Sequence, residues 1–202
     1  MNNLCWAVVA AIALLLSACT PSPNPPPVKS LEPAKTATTA AMPPASTANS
    51  FCTAAETLVF TCPTGAKQVS VCASRTLSPT AGYVQYRFGN PGVAGAPLEL
   101  AHPPVEVHPL KAAYGASVAF SGGGGAWLRF RNAPYAYVVY SGIGRWGADG
   151  ATVEKQGLVV EKDGKRIAHL KCSGPRGGEL GPDWFTQAGY AATSSEAFDF
   201  PD

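Results

Sequence analysis

Beyond residue 50 the chain is dominated by alternation of apolar and polar residues with period two, which predicts short β-strands rather than helices. Leu58, Phe60 and Cys62 alternate with Val59 and Thr61; after Pro63-Thr64-Gly65-Ala66, Val69 and Val71 alternate with Gln68 and Ser70. Val84, Tyr86 and Phe88 share one face opposite Gln85 and Arg87. Ala126, Leu128 and Phe130 share another, opposite Trp127, Arg129 and Arg131. A β-branched and aromatic run from Tyr135 to Tyr140 follows the turn Asn132-Ala133-Pro134. The stretch from Leu158 to Leu170 reads as a hairpin about Asp163-Gly164, a step that suits the left-handed positions of a tight turn. Shorter candidates are residues 98–100, 105–107 and 117–120.

The pattern therefore predicts an all-β domain of about 8–10 short strands in an antiparallel meander, either a small barrel or a sandwich. No amphipathic helix interrupts it. Beyond Gly174 the alternation dissolves into Gly177-Gly178, Gly181-Pro182 and a Ser/Ala-rich end. Residues 176–202 read as an acidic, partly ordered tail that packs only through Trp184 and Phe185, with one helical turn near 184–190.

The first 50 residues have a different character. Residues 4–18 are all apolar or small, the length of a signal-peptide core and too short to cross a bilayer comfortably. Residues 20–50 hold eight prolines, five threonines, four serines, six alanines and three charges. Such a segment buries too little apolar surface to offset its ordering entropy and reads as a disordered tether. As a coil it reaches on the order of 30 Å, and as polyproline II up to roughly 95 Å. The expected organisation is a leader over 1–18, Cys19 and tether over 19–50, a β domain over 51–175 and the acidic tail over 176–202.

The leader ends in Leu16-Ser17-Ala18-Cys19, which resembles the lipobox of bacterial lipoproteins. That resemblance implies cleavage before Cys19, diacylglyceryl attachment to its thiol and acylation of the new amino group. Two or more acyl chains make durable membrane anchoring, each buried CH₂ contributing about 0.8 kcal/mol. Thr20, where an Asp would direct retention in the inner membrane of enteric lipoproteins, implies an outer-membrane anchor, with the domain in the periplasm or on the cell surface.

With Cys5 in the leader and Cys19 lipidated, Cys52, Cys62, Cys72 and Cys172 remain. An even count in an exported domain reads as two disulfides. If 58–62 and 67–72 form a hairpin, Cys62 lies at its turn end and Cys72 at its open end, roughly 16 Å apart. A disulfide tolerates a Cα separation of only about 4.4–6.8 Å. The spacing thus favours Cys52–Cys72 and Cys62–Cys172. A Cys-based zinc site is disfavoured, since C-x9-C-x9-C fits no usual ligand spacing.

Composition narrows the function classes further. Of 202 residues 21 are Gly and 19 Pro, and the net charge of +2 gives no electrostatic case for nucleic-acid binding. The charge is unevenly spread, however. Residues 75–171 carry 11 basic and 6 acidic side chains, whereas 176–202 carry one Arg against Glu179, Asp183, Glu196, Asp199 and Asp202. A basic body with an acidic tail implies that the tail shields the body or folds along it. Trp127, Arg129 and Arg131 project from one strand face and, extended by Arg145 and Trp146, form the candidate binding surface.

Catalytic and cofactor motifs are weak. Gly142-Ile143-Gly144-Arg145-Trp146-Gly147 spells GxGxxG but is followed by a turn rather than the helix a dinucleotide site needs. Ser121-Gly122-Gly123-Gly124-Gly125 reads as an inter-strand loop. His102, Glu106 and His108 would share a strand face as a metal half-site, but Pro103, Pro104 and Pro109 interrupt it, so no metal and no cofactor is expected. His169 reads as a paired sheet residue.

The plan of lipobox, polar tether, early strand ending in Phe60-Thr61-Cys62, β-meander and late Cys172 is similar to the membrane-bound lipoprotein inhibitors of c-type lysozyme. That similarity implies a small antiparallel barrel closed by the late bridge. The family's inhibitory Ser-Gly-x-x-Tyr motif has no counterpart, because Ser121-Gly122 runs into Gly123, Gly124 and Gly125. The leading expectation is a non-catalytic, lipid-anchored envelope domain that binds a protein or glycan partner. A lysozyme inhibitor, a cell-wall hydrolase and a purely structural envelope protein are the alternatives.

Overall fold

A computed structural model describes residues 50–91, 98–190 and 196–202. The leader, Cys19 and the tether up to residue 49 lie outside the described residues. Nine strands are described, together with two short helices: β1 (Glu56–Thr64), β2 (Lys67–Ser74), β3 (Val84–Gly89), β4 (Leu100–His102), α1 (Pro109–Ala112), β5 (Tyr114–Phe120), β6 (Gly123–Asn132), β7 (Tyr135–Gly144), β8 (Val153–Lys162), β9 (Lys165–Lys171) and α2 (Pro182–Gln187).

The strands form two antiparallel meanders, β1-β2-β3-β4 and β5-β6-β7-β8-β9. The architecture is sandwich-like, and neither sheet closes into a barrel. The reason lies between β4 and β5, where the proline-rich run from Pro103 to Pro109 leads into α1 instead of pairing as a strand. The candidate strand at 105–107 does not form.

The core fills the space between the sheets. Val69, Val71, Val84 and Tyr86 of the first meet Leu128, Phe130, Val139 and Leu158 of the second. The Tyr86 ring lies 5.8 Å from Phe130 and 5.1 Å from Tyr137, centroid to centroid. Strict alternation fails in β1. A bulge between Leu58 and Phe60 lets Val59 and Phe60 both be buried, where the sequence pattern had Val59 on the opposite face.

The largest departure from the sequence reading is the end of the chain. After β9 the backbone crosses to the free edge of β1: Ser173 N–H donates to Pro63 O, Gly177 exchanges hydrogen bonds with Thr61, and Leu180 N–H donates to Val59 O. Gly178 sits at φ +103°, where a Cβ would lie 2.4 Å from Val59 O, so only glycine fits this crossing. Leu180, Trp184, Phe185 and Ala188 then enter the main core. Residues 177–190 are part of the fold rather than a tail held by two aromatic residues.

Two disulfides fasten the arrangement. Cys62–Cys172 joins β1 to the residue after β9 and so ties the first sheet to the second. Cys52–Cys72 pins the segment before β1 onto β2. That segment lies across the outer face of the first sheet, where Phe51 N–H donates to Ser70 Oγ at 3.1 Å and Arg87 donates to Phe51 O at 2.7 Å. Beneath it Glu56 accepts from Arg87 Nη1 and Nη2 at 2.8 and 2.6 Å, from Tyr83 at 2.8 Å and from Thr53 N–H at 2.7 Å. Sequence patterning gave no sign of this buried pair. The outer edge of the second sheet, β9, carries Lys165, Arg166 and Lys171, charges that discourage edge-to-edge association.

Candidate functional site

The alternation in β6 places Trp127, Arg129 and Arg131 on the outer face of the second sheet, as the sequence pattern predicts. Pairing across the sheet adds neighbours to this face: Trp127 lies opposite Tyr140 and Ala116, and Arg129 opposite Val138 and Tyr114. Gly125 faces Gly142 one step along. Further on, Phe120 and Trp146 close the aromatic row, with ring centroids 4.9 Å apart.

This face is not open. The segment 196–202 lies along it, with Glu196, Phe198 and Phe200 turned toward the sheet and the exposed Asp202 reaching Lys155. Glu196 pairs with Arg129 and Arg131, both at 2.6 Å. Phe198 packs between Trp127 and Tyr140, with centroids at 5.7 and 5.5 Å. Phe200 lies 5.6 Å from Phe120, 5.9 Å from Tyr140 and 5.7 Å from Trp146. Asp202 reaches Lys155 at 2.6 Å. The glycines form the trough for Phe200, since a Cβ at Gly125 would come within 2.5 Å of its ring and one at Gly142 within 3.0 Å. The acidic end of the chain thus folds along the basic sheet.

The expected binding residues are affected differently by this cover. Trp127 is buried at 1% exposure, contrary to the sequence reading of a projecting indole. It forms a second core with Ala116, Val138, Tyr140 and Val159, against which Phe198 and Phe200 pack. Arg129 stacks over Trp127 at 5.0 Å and also binds Glu161 at 3.0 Å. Arg131 lies over the Tyr114 ring, 4.9 Å away, and keeps 55% of its side chain exposed. Trp146 is half-buried under Lys155, 4.8 Å from its ring. Arg145 is exposed and lies against Gly122 at the β5–β6 turn.

Electrostatics reinforce the cover. Burial alone would raise the Glu196 carboxyl, but hydrogen bonds from Arg131 and Arg129 and their charges hold it below the ordinary carboxylate range. The Asp202 carboxyl is lowered by its hydrogen bond and charge pairing with Lys155. On the same face the Tyr140 hydroxyl lies 2.5 Å from His169 Nε2. Burial raises Tyr140 to about 12. Desolvation, then the charges of Lys171, Arg166 and Lys155, lower His169 and favour its neutral ring. This pair reads as a satisfied structural link.

The remaining candidate chemistry is dispersed. β4 ends at His102, whose Nε2 hydrogen-bonds the Arg131 carbonyl at 2.8 Å and so links the sheets, while His108 precedes α1. Among the described residues no group of three or more His, Cys, Asp or Glu side chains is placed to hold a metal. After Gly144 the GxGxxG run leads into a 3-10 turn at Ala148–Gly150. A cleft of about 810 Å³, which the sequence pattern did not reveal, opens on the other side of the second sheet toward α2. Ser117, Ala126, Ser141, Leu180, Phe185 and Tyr190 are among its lining residues.

Comparison with known proteins finds no family model, no curated protein and no solved structure that matches this chain.

Proposed function

We propose that this chain is a non-catalytic, lipid-anchored protein of the bacterial cell envelope, held to the outer membrane through Cys19, whose disulfide-stapled β domain binds a protein partner. The observation that carries the binding role is the convergence of Trp127, Tyr140, Trp146 and Phe120 with Arg129, Arg131 and Lys155 on one sheet face. Aromatic and arginine side chains over a desolvated floor are the usual composition of protein-binding hot spots. A protein partner fits better than a glycan, because the face already accepts phenylalanine rings, edge-on at Phe120 and Tyr140, tilted at Trp127 and stacked at Trp146. The two open sheets lend no support to the lysozyme-inhibitor version.

Fractionation and binding test this proposal together. The unaltered chain partitions with the outer membrane and incorporates a palmitate analogue; Cys19→Ser abolishes that labelling. Added to solubilised envelope, the Cys19→Ser chain binds a protein saturably, and Arg131→Glu weakens that binding by about ten-fold or more, as expected for a hot-spot arginine. Equal labelling of Cys19→Ser, or binding indifferent to Arg131→Glu, contradicts the proposal.

A further inference from the structure

The two sheets carry covers of opposite kinds on their outer faces. Over the first sheet, the residues before β1 are fixed covalently by Cys52–Cys72, with Phe51 hydrogen-bonded at both its N–H and its carbonyl. The cover of the second sheet has no such fixing. Among the described residues, 197–202 make no main-chain hydrogen bond to the sheet, and the contacts that face it are those of the Glu196, Phe198, Phe200 and Asp202 side chains. Its rings are half-buried, Pro201 is buried, and its two ends are ion pairs, of which the exposed Asp202–Lys155 pair is the one most open to water and salt. The floor beneath is a complete receptor, with a trough between Gly125 and Gly142, an aromatic wall from Trp127 to Trp146, and cations at both ends. An internal segment without a covalent staple, on a face so fully formed, is replaceable by an external segment of the same chemistry.

We infer that this face, between Arg129–Arg131 at one end and Lys155 at the other, binds an extended partner segment of the pattern acid-x-aromatic-x-aromatic-x-acid, which displaces the chain's own residues 196–202. The inference rests on the protein-binding reading above and specifies the partner's chemistry. The spacing follows from the extended conformation, in which alternate side chains point the same way and repeat every ~6.6 Å. The partner's acids replace Glu196 and Asp202, and its two rings replace Phe198 and Phe200. Because the internal segment is tethered, its effective concentration is in the millimolar range and it masks the face in the resting protein. An external segment gains access in proportion to the fraction of molecules in which the face is open.

The test uses the full chain carrying Cys19→Ser and a dye-labelled, N-acetylated peptide Glu-Ala-Phe-Asp-Phe-Pro-Asp, with binding read by fluorescence anisotropy. Adding Phe198→Ala and Phe200→Ala opens the face, and the peptide then binds about ten-fold or more tightly than to the otherwise unaltered Cys19→Ser chain. Affinity falls as salt rises from about 0.05 to 0.5 M, since both ends of the peptide are ion-paired. A peptide with alanine at both aromatic positions does not bind. Should the double alanine variant fail to fold, Glu196→Gln with Asp202→Asn loosens the segment without removing its rings and gives the same direction of change. Absence of peptide binding to a folded, opened variant, equal binding to opened and unopened chains, or equal binding of the alanine peptide overturns the inference. Peptide binding without any envelope partner keeps the pattern that the face accepts and removes the proposed function. A saturable partner sensitive to Arg131→Glu, with no peptide binding, does the reverse.

Discussion

Replacing Cys62 and Cys172 together by alanine lowers the unfolding free energy of the domain by about 4–5 kcal/mol. The bridge spans a sequence separation of 110 residues, and in the chain-entropy account a closed loop of that length restricts the unfolded chain by this amount. A loss of that size is most of the stability of a marginal domain, so the variant is expected to be near its unfolding midpoint at physiological temperature. Removing Cys52–Cys72, with a separation of 20, costs about 3 kcal/mol on the same basis. Position adds to the difference. Cys172 lies where the chain leaves the second sheet for the edge of β1, so its loss also loosens the crossing through Ser173, Gly177 and Leu180. Urea unfolding of the two paired variants measures the gap directly. Equal destabilisation, or a smaller effect at Cys62–Cys172, contradicts the role of that bridge as the tie between sheets.

Glu56→Ala is the next most damaging change expected, at about 3–5 kcal/mol, because it leaves the Arg87 guanidinium buried without its partner. Only 12% of the Arg87 side chain and 3% of the Glu56 side chain are exposed. Glu56→Gln keeps the shape and part of the hydrogen bonding and is milder. The same pair sets an acid limit on stability. Burial alone would raise the Glu56 carboxyl, but hydrogen bonds from Arg87, Thr53 N–H and Tyr83, with the Arg87 charge, bring it from 4.5 to about 2. A carboxyl lowered in the folded state binds protons less readily there than when unfolded. Its contribution, on the order of 3 kcal/mol, is therefore complete above the unfolded value and disappears as pH falls from about 4.5 to about 2. Thermal melts across that range should show a steep acid loss in the unaltered domain and a shallower one in Glu56→Gln. Parallel curves would refute the assignment.

What was legible in the sequence follows from how local each signal is. Period-two alternation and the Asp163-Gly164 turn mark most strands, because strand faces and tight turns are decided by neighbours in sequence. The disulfide pairing was legible because strand rise alone separates the two ends of a hairpin too far to bridge. The bulge at Val59 was not, since nothing local distinguishes it from regular alternation. The choice between barrel and sandwich depended on whether the chain from β4 to β5 would pair, which the prolines at 103, 104 and 109 decided against. The Glu56–Arg87 pair is separated by 31 residues and leaves no pattern in either strand.

The outer face of the second sheet was half legible. The sequence placed Trp127, Arg129 and Arg131 together and set an acidic end against a basic body, but it left the indole in solvent. Acid, aromatic, aromatic and acid at 196, 198, 200 and 202 repeat with period two, complementary to the pattern at 127, 129 and 131. That complementarity is the signal that would have joined the two, although some 67 residues separate Arg129 from Glu196.

We propose that this face is a partner-binding surface masked by residues 196–202 of the same chain. It is tested most directly by photo-cross-linking in living cells, with a benzophenone amino acid placed at Arg131 and, as a control, at Val105, which is 66% exposed in the connection before α1. A discrete cross-linked protein is expected from position 131, intensified when Phe198 and Phe200 are replaced by alanine, with no such product from position 105. Products that are the same from both positions, or that do not change when the aromatic cover is removed, would contradict it.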